Sequence, residues 1–414
     1  MASLRRWIWR LFLVFFALLL ALAALWAYGR LSSPTAAQRA AVALMQALPA
    51  AEGENGFVLL RAQPPAPTPT LPAAARCAET EAAACLERMA ALAPAEREAL
   101  EAWRPALEAA ARALRAPVFR DERETVELGD ELPSFQRVMD IDSLRAFDFA
   151  RGETASALAA LCEDTRGALR WAAQPESLIQ GMVGIAAFRQ NGGLIAEMRR
   201  RAPADPLPPA CAALAEAPDP AQEGLLCPAL RGEWWYWQRL MPALEREAAG
   251  QAEGPWRFLP NGLLHDGEWA QAVRAETFAI ACGEAAVAAA RADQTIELAP
   301  GTVRWVDHMA YPASAWLLGL GEPFWRPYQE RQLDFLALRR LLAAALQMAQ
   351  GDPALGPEQR FAALPAGLRE GPRPLRLETS PDGNAVLAVA LRAPRSTAVE
   401  AEARLPVAGP LAAP

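Results

Sequence analysis

The feature that most constrains the fold is an uncharged, apolar run of 18 residues close to the N-terminus, residues 11–28 (LFLVFFALLLALAALWAY). As an α-helix this run spans about 27 Å, which is close to the ~30 Å hydrocarbon thickness of a bilayer. Trp7 and Trp9 precede the run and Trp26 lies near its end, where amphipathic rings favour the membrane–water interface. The run therefore predicts a transmembrane helix through which the chain contacts a membrane.

The arginines around this run predict its orientation. Arg5, Arg6 and Arg10 precede it and Arg30 follows it, so the positive-inside rule places residues 1–10 in the cytoplasm and the bulk of the chain outside. A cleaved signal peptide is the alternative, with residues 21–23 (Ala-Leu-Ala) as the cleavage site, but the apolar run is longer than such peptides need. A buried helix of a soluble core is a third reading. We expect residues 1–30 to form a cytoplasmic stub and a retained anchor.

Composition excludes several functions. All 41 basic residues are arginine, and alanine is heavily used, which is typical of a GC-rich bacterial genome. The absence of lysine excludes a Walker A phosphate loop, Schiff-base chemistry and Ser–Lys dyads. Four of the 41 arginines lie in the first 30 residues, which leaves 37 against 48 acidic residues. An acidic body argues against nucleic acid as a partner, because phosphate binding depends on clustered positive charge.

Six cysteines in a chain expected to be exported to the periplasm predict disulfides. Proximity in sequence favours the pairs Cys77–Cys85 and Cys211–Cys227. The remaining two, Cys162 and Cys282, either close a long loop or stay as buried thiols. The chain has no Cys-x-x-Cys motif and two histidines, so we expect no metal site and no cofactor.

Apolar periodicity and Pro or Gly breaks predict a mainly α-helical chain. Residues 57–60 are predicted as a short strand or an extended piece, and the Pro-rich stretch 64–72 as an extended connector. Domains are therefore expected at 31–75, a juxtamembrane helix and connector, and at 76–350, an irregular multi-helix periplasmic domain. The predicted helices are 35–48, 79–92, 94–115, 134–149, 153–173, 175–200, 224–248, 266–292, 312–320 and 329–349.

The C-terminal region, residues 351–414, predicts a small β-hairpin region and a tail. Residues 375–379 alternate apolar and polar side chains, residues 380–384 (SPDGN) have turn chemistry, and residues 386–391 form a second apolar run. Because an isolated hairpin is marginal in water, we expect it to pack on the helices or to gain a third strand from residues 397–405.

Several short motifs accompany this organisation, namely the anchor, the Pro-rich linker, cysteine-bearing helices, residues 260–262 (PNG), residues 310–313 (AYPA), a long Arg/Leu helix and a closing Asp-Gly hairpin. Together they resemble a group of uncharacterised single-pass membrane-anchored proteins of GC-rich proteobacteria. The resemblance implies a helical periplasmic body and implies no activity.

Candidate catalytic residues are few. His308 and His265 are the only histidines, and Ser314 lies near His308 but lacks the glycines of a nucleophile elbow. Glu176 precedes a serine as in lytic transglycosylases, without the Gly-Leu-Met-Gln segment expected downstream. Asp164 precedes a threonine but lacks the glycine of an aspartic protease loop. The sequence therefore predicts no catalytic residue, and a periplasmic hydrolase using a carboxylate or His308 is kept as an alternative.

An aromatic cluster is the most distinctive candidate for binding. Trp234, Trp235 and Trp237 follow one another on a predicted helix with Arg239. They form either a core helix or, with Trp325 and Tyr328, a surface for a partner. Gly181 and Gly184 predict close helix packing, within the fold or in self-association.

From these features we expect a non-enzymatic, bitopic cell-envelope protein that binds another envelope protein or itself; a secretion-system accessory component is a further alternative.

Overall fold

The computed structural model shows a mainly helical protein, 68% helix and 5% strand, which confirms the predicted fold class in this respect. The Pro-rich stretch 64–69 and the motif at 260–262 lie outside the described residues. The structure describes residues 2–47, 52–63, 70–77, 81–124, 126–127, 130, 132–203, 205–251, 265–320, 325–352, 354–380, 383–392 and 402–410.

The chain begins with the long apolar helix α1 (Ala2–Ser32), whose apolar window has no buried residue. Its length and composition are sufficient for crossing a membrane. Helix α2 (Ala36–Gln46) follows after a short break and begins with a capping box, in which the side chains of Thr35 and Gln38 bond each other's backbone amides. The apolar run thus leads directly into the body.

The remaining helices fold into one body. They are α3 (Gly56–Arg61), α4 (Ala82–Ala90), α5 (Pro94–Arg115), α6 (Gln136–Met139), α7 (Ile141–Ala150), α8 (Thr154–Ala173), α9 (Leu178–Arg201), α10 (Pro209–Ala212), α11 (Pro220–Glu223), α12 (Cys227–Gln251), α13 (Gly267–Ile280), α14 (Glu284–Arg291), α15 (Trp305–Ala310), α16 (Pro312–Leu320), α17 (Arg326–Gln350), α18 (Pro357–Ala362) and α19 (Ala366–Arg369), with 3-10 turns at Ala73–Ala75 and Ala213–Ala215.

Helices α5, α7, α8, α9 and α17 build the main core. Helix α17 is buried on most of its faces, more than the single apolar stripe of its sequence predicts, because helices and strands surround it. Phe188 and Phe335 meet edge to face there, with ring centroids 5.2 Å apart. A Cβ at Gly184 would lie 2.6 Å from the Ala172 backbone nitrogen, so this glycine serves the packing of α9 on α8.

A three-stranded antiparallel sheet closes the fold. Its strands β1 (Arg376–Thr379), β2 (Asn384–Ala390) and β3 (Glu402–Pro410) pair in sequence order, which confirms the hairpin and a third strand. The third strand covers 402–410, later than the predicted 397–405, of which residues 397–401 lie outside the described residues. Gly383 supplies the positive φ of 78° that the first turn needs. Leu387 and Leu405 pair across the sheet and are buried in the main core.

Three predicted elements differ from the structure, the first of them the helix expected over 134–149, which is divided into α6 and α7 at Asp140. Residues 57–60 belong to helix α3 and not to a strand, because the Asn55 side chain accepts a hydrogen bond from the Phe57 amide at 3.0 Å and caps a helical turn. The helix expected over 266–292 is divided into α13 and α14 at residues 281–283.

The cysteine pairing corrects two expectations. The pair Cys77–Cys85 is as predicted, with 5.1 Å between its Cα atoms, but the pairs Cys211–Cys227 and Cys162–Cys282 are wrong. The structure instead joins Cys162 to Cys211 and Cys227 to Cys282, with Cα atoms 5.1 and 4.8 Å apart. The reason is helix packing: α10 lies on α8, and α12 lies on α13.

Candidate functional site

The junction between α1 and the body is the most specific arrangement in the structure, and we call it the exit junction (residues 29–38 with residues 302–311 and Asp266). Helix α15 packs against the last turns of α1. A Cβ at Gly29 would lie 2.7 Å from the Ala310 Cβ and 2.8 Å from the Val306 carbonyl oxygen. Only glycine therefore permits this approach of the two helices.

Arg30, which directly follows Gly29, makes further contacts between α1 and the body. Its guanidinium lies over the rings of Tyr311, at 4.5 Å, and Trp26, at 5.1 Å from the ring centroids. It also donates a hydrogen bond to the Ala310 carbonyl at 3.2 Å and lies 3.9 Å from the Asp266 carboxylate. Planar stacking of this kind suits arginine and contributes about 0.5–2 kcal/mol per ring.

Asp307 joins both sides of the exit junction. Its buried carboxylate accepts hydrogen bonds from the Ser33 hydroxyl at 2.7 Å and from the Arg304 guanidinium at 2.7 Å. Burial acts to raise the pKa of Asp307, but the hydrogen bonds from Arg304 and Ser33 outweigh it, so the pKa is lowered. The group therefore stays ionised at neutral pH.

Helix α2 leads from the exit junction into a second core, a cluster of buried apolar residues that includes Met45 of α2, Trp234 of α12 and Phe278 of α13. The buried Gln38 side chain donates a hydrogen bond to the Thr302 carbonyl at 2.9 Å. Further along, Met45 is fully buried and its carbonyl accepts a hydrogen bond from the Trp235 indole at 3.2 Å. Residues that follow the apolar helix are thus structural parts of the body.

The aromatic residues predicted for binding lie largely in this second core. Trp234 is 1% exposed and donates its indole hydrogen to the Gln271 carbonyl at 3.0 Å. Trp235 packs edge to face on it, and Trp325 packs on Phe278. Trp234 is therefore a core residue, as the first of the two interpretations of the aromatic run predicts, and it offers no surface to a partner.

The other predicted binding residues are partly buried. Arg274 lies 4.8 Å above the ring of Trp237, and Tyr328 packs against the second core. Arg239 donates hydrogen bonds to the Asp121 and Arg123 carbonyls. These contacts hold the loop before α6 to helix α12, and binding through the partly exposed rings stays a prediction.

The two candidate catalytic histidines, His265 and His308, lie in different surroundings. His308 is exposed on α15, whereas Ser314 bonds to the other histidine, with its Oγ 2.8 Å from the His265 Nδ1. The Ser314 hydroxyl also accepts the Asp266 amide hydrogen at 2.9 Å and is completely buried. A nucleophile must reach its substrate, so this pair acts in holding α16 to the start of α13.

The candidate catalytic carboxylates are occupied by arginines. Glu176 forms two hydrogen bonds of 2.6 Å with Arg120. Asp164 is fully buried between Arg115, at 2.7 Å, and Arg145, at 2.8 Å. Bidentate and bridging pairs of this kind are structural, because the oxygens that a substrate would need are already bound.

One further buried carboxylate has no recognisable sequence motif. Asp142 is buried, accepts a hydrogen bond from the Gln190 amide at 2.6 Å and lies near a second acid, Asp140. Burial raises the pKa of Asp142 to about 7. Its partners are neutral side chains, in contrast to the arginine pair around Asp164.

In the part of the chain that the structure describes, no three His, Cys, Asp or Glu side chains come together to hold a metal ion. Comparisons with protein-family models, curated proteins and solved structures find no match to this chain.

Proposed function

We propose that this protein is a non-enzymatic, single-pass protein of the bacterial inner membrane, with its N-terminus in the cytoplasm and its helical body in the periplasm. The observation that carries the proposal is the exit junction. Gly29 and Arg30 bind α15 at contact distance, so the body begins where the apolar helix ends. An anchor with a flexible linker would not need this packing.

The orientation is supported by charge and by the cysteines. Three of the four arginines near the apolar run precede it, as expected for a cytoplasmic N-terminus. All six cysteines lie in pairs at disulfide distance, and such bonds persist in oxidising compartments such as the periplasm.

The body acts in this proposal by binding another envelope protein or a second copy of the chain. Apart from the exposed His308, the described candidates for catalysis are held in internal contacts, as Ser314 and Glu176 illustrate, which favours binding over hydrolysis. A secretion-system accessory role is one form of this binding function. The partly exposed rings of Trp237 and Trp325 are the first surface to probe.

Topology is tested by fusing alkaline phosphatase or green fluorescent protein to the C-terminus of the full chain. We expect an active phosphatase and a dark fluorescent protein, since the former matures in the periplasm and the latter in the cytoplasm. The opposite pattern would contradict the proposed orientation.

Partner binding is tested by crosslinking in intact membranes. Because the chain has no lysine, amine-reactive reagents can attach only at the N-terminal amine, so a photo-reactive amino acid is placed at Trp237 or Trp325 instead. Val58, which is 54% exposed on α3, is the control position. We expect a discrete adduct, identified by mass spectrometry, from the tryptophan positions. Identical adduct patterns at all three positions would contradict a specific interface.

A further inference from the structure

The body carries two unusually exposed tryptophans beside the exit junction. Trp305, the first residue of α15, is 63% exposed, and Trp316 on α16 is 65% exposed. In contrast, the body tryptophans Trp171, Trp234 and Trp269 are each exposed by 2% or less. Leaving an indole in water forgoes about 2–3 kcal/mol of burial free energy. Contact of Trp305 and Trp316 with another surface would recover this burial free energy.

Trp305 is held at the end of the apolar helix. The next residue, Val306, contacts Gly29, and the residue before it, Arg304, bonds to the Ser33 hydroxyl. Tyr28, on the last turns of α1, is itself 59% exposed. The backbone of Trp305 thus lies between two residues that contact the last turns of α1, where a spanning helix leaves the hydrocarbon.

Trp316 is held by the same junction. Helix α16 begins directly after Tyr311. The ring of Tyr311 stacks on the ring of Trp269, with centroids 4.7 Å apart, and the Arg30 guanidinium lies over the Tyr311 ring. Trp316 is five residues beyond Tyr311, or roughly 7 Å along a helix axis. The buried Ser314 ties this helix to the start of α13, so the indole is presented on a fixed support.

We propose that Trp305 and Trp316 insert into the headgroup region of the periplasmic leaflet, so that α15 and α16 rest on the lipid surface. This inference rests on the proposed membrane anchoring by α1. Indole rings favour the interface because their apolar body and N–H group meet different surroundings there. Helix α16 carries no charged residue, and Leu31, 88% exposed, adds apolar surface at the same level.

Phospholipid, and not a second protein, covers Trp305 and Trp316 in this proposal, because their surface is continuous with the helix that enters the bilayer. A body tethered at one point would pivot about α1. Two indoles in the headgroup region, together with the exit junction, fix its tilt relative to the membrane.

The test uses the full-length protein in vesicles of phosphatidylethanolamine and phosphatidylglycerol, containing a phospholipid brominated near the top of its acyl chain. Bromine quenches tryptophan emission only at close range. The double variant Trp305→Phe/Trp316→Phe is compared with the wild type, and circular dichroism verifies that both fold. We expect the quenched emission to fall by roughly two-fifths, since two of five described tryptophans at membrane level are removed.

The remaining quenching comes from Trp7, Trp9 and Trp26 on α1 and reports insertion of that helix. Loss of all quenching, in the wild type as well, would contradict the proposed anchoring. Unchanged quenching in the double variant, with α1 still quenched, would overturn the lipid contact alone. Shielding of Trp305 and Trp316 from aqueous acrylamide without bromine quenching would assign the surface to a protein partner and also overturn it.

Discussion

Asp142 offers a direct test of how the body is stabilised. Its carboxyl has a pKa of about 7 in the folded protein, whereas an unfolded chain gives about 3.9. Because the folded pKa is the higher one, the folded state binds a proton that the unfolded state has lost, and stability falls as pH rises from about 4 to 7. Three pKa units at 1.36 kcal/mol each give at most about 4 kcal/mol.

We therefore expect Asp142→Asn to be more stable than the wild type at pH 8, by about 2–4 kcal/mol, and by only about 1–2 kcal/mol at pH 5. The amide keeps the volume and an oxygen for the Gln190 hydrogen bond. Urea unfolding of the full-length protein in detergent, followed by tryptophan fluorescence from pH 5 to 8, measures both curves with the disulfides intact.

The matched control is Asp164→Asn, which changes another fully buried aspartate in the same way. Here two arginines lose their shared partner, so we expect destabilisation by ~3–5 kcal/mol at pH 8. Parallel stability curves for Asp142→Asn and the wild type would refute the reasoning, because they would mean that Asp142 does not titrate in this interval.

Three further predictions concern the exit junction and the core. Asp307→Asn should lower the free energy of unfolding by about 1–3 kcal/mol at pH 7 and by less at pH 3. The reason is that the ionised Asp307 carboxylate, whose pKa is lowered in the folded state, stabilises the protein less as the pH falls toward that pKa. Thermal unfolding at both pH values measures this. Replacing Cys227 and Cys282 by serine should remove about 4 kcal/mol on the chain-entropy model, and unchanged urea midpoints would contradict the pairing. Gly184→Leu should cost about 3 kcal/mol by forcing α9 away from α8, whereas Gly184→Ala should cost less.

Local chemistry predicts much of this fold. Helix α5 begins at Pro94 and ends at Arg115 as its sequence indicates, because proline suits the first turn and an Ala-Pro step follows the helix. The Ser-Pro-Asp-Gly-Asn turn likewise predicts the hairpin. These signals act within a few residues and survive any tertiary context.

The errors concern relations between distant segments. Cys211 and Cys227 are close in sequence, but α10 and α12 pack on different helices, and the tertiary arrangement decides the bonds. The exit junction cannot be predicted from the sequence for the same reason. Its sequence signals are Gly29 and Arg30 at the end of the apolar run and the 310–313 motif. Arg30 and Ala310 are 280 residues apart, and their contact becomes evident only once the helices are placed.

The apolar helix α1 and the body form one unit at the exit junction, and the proposed function requires this contact. In intact membranes, Ser33→Cys combined with Asp307→Cys should crosslink almost completely on mild oxidation, because the Ser33 Oγ lies 2.7 Å from the Asp307 carboxylate. Tyr28→Cys with Asp307→Cys is the control, since Tyr28 is exposed. Peptide mass spectrometry quantifies both bonds. A high yield for Ser33 and a low yield for Tyr28 is the predicted result; equal yields would mean a mobile tether and would contradict the contact between α1 and the body.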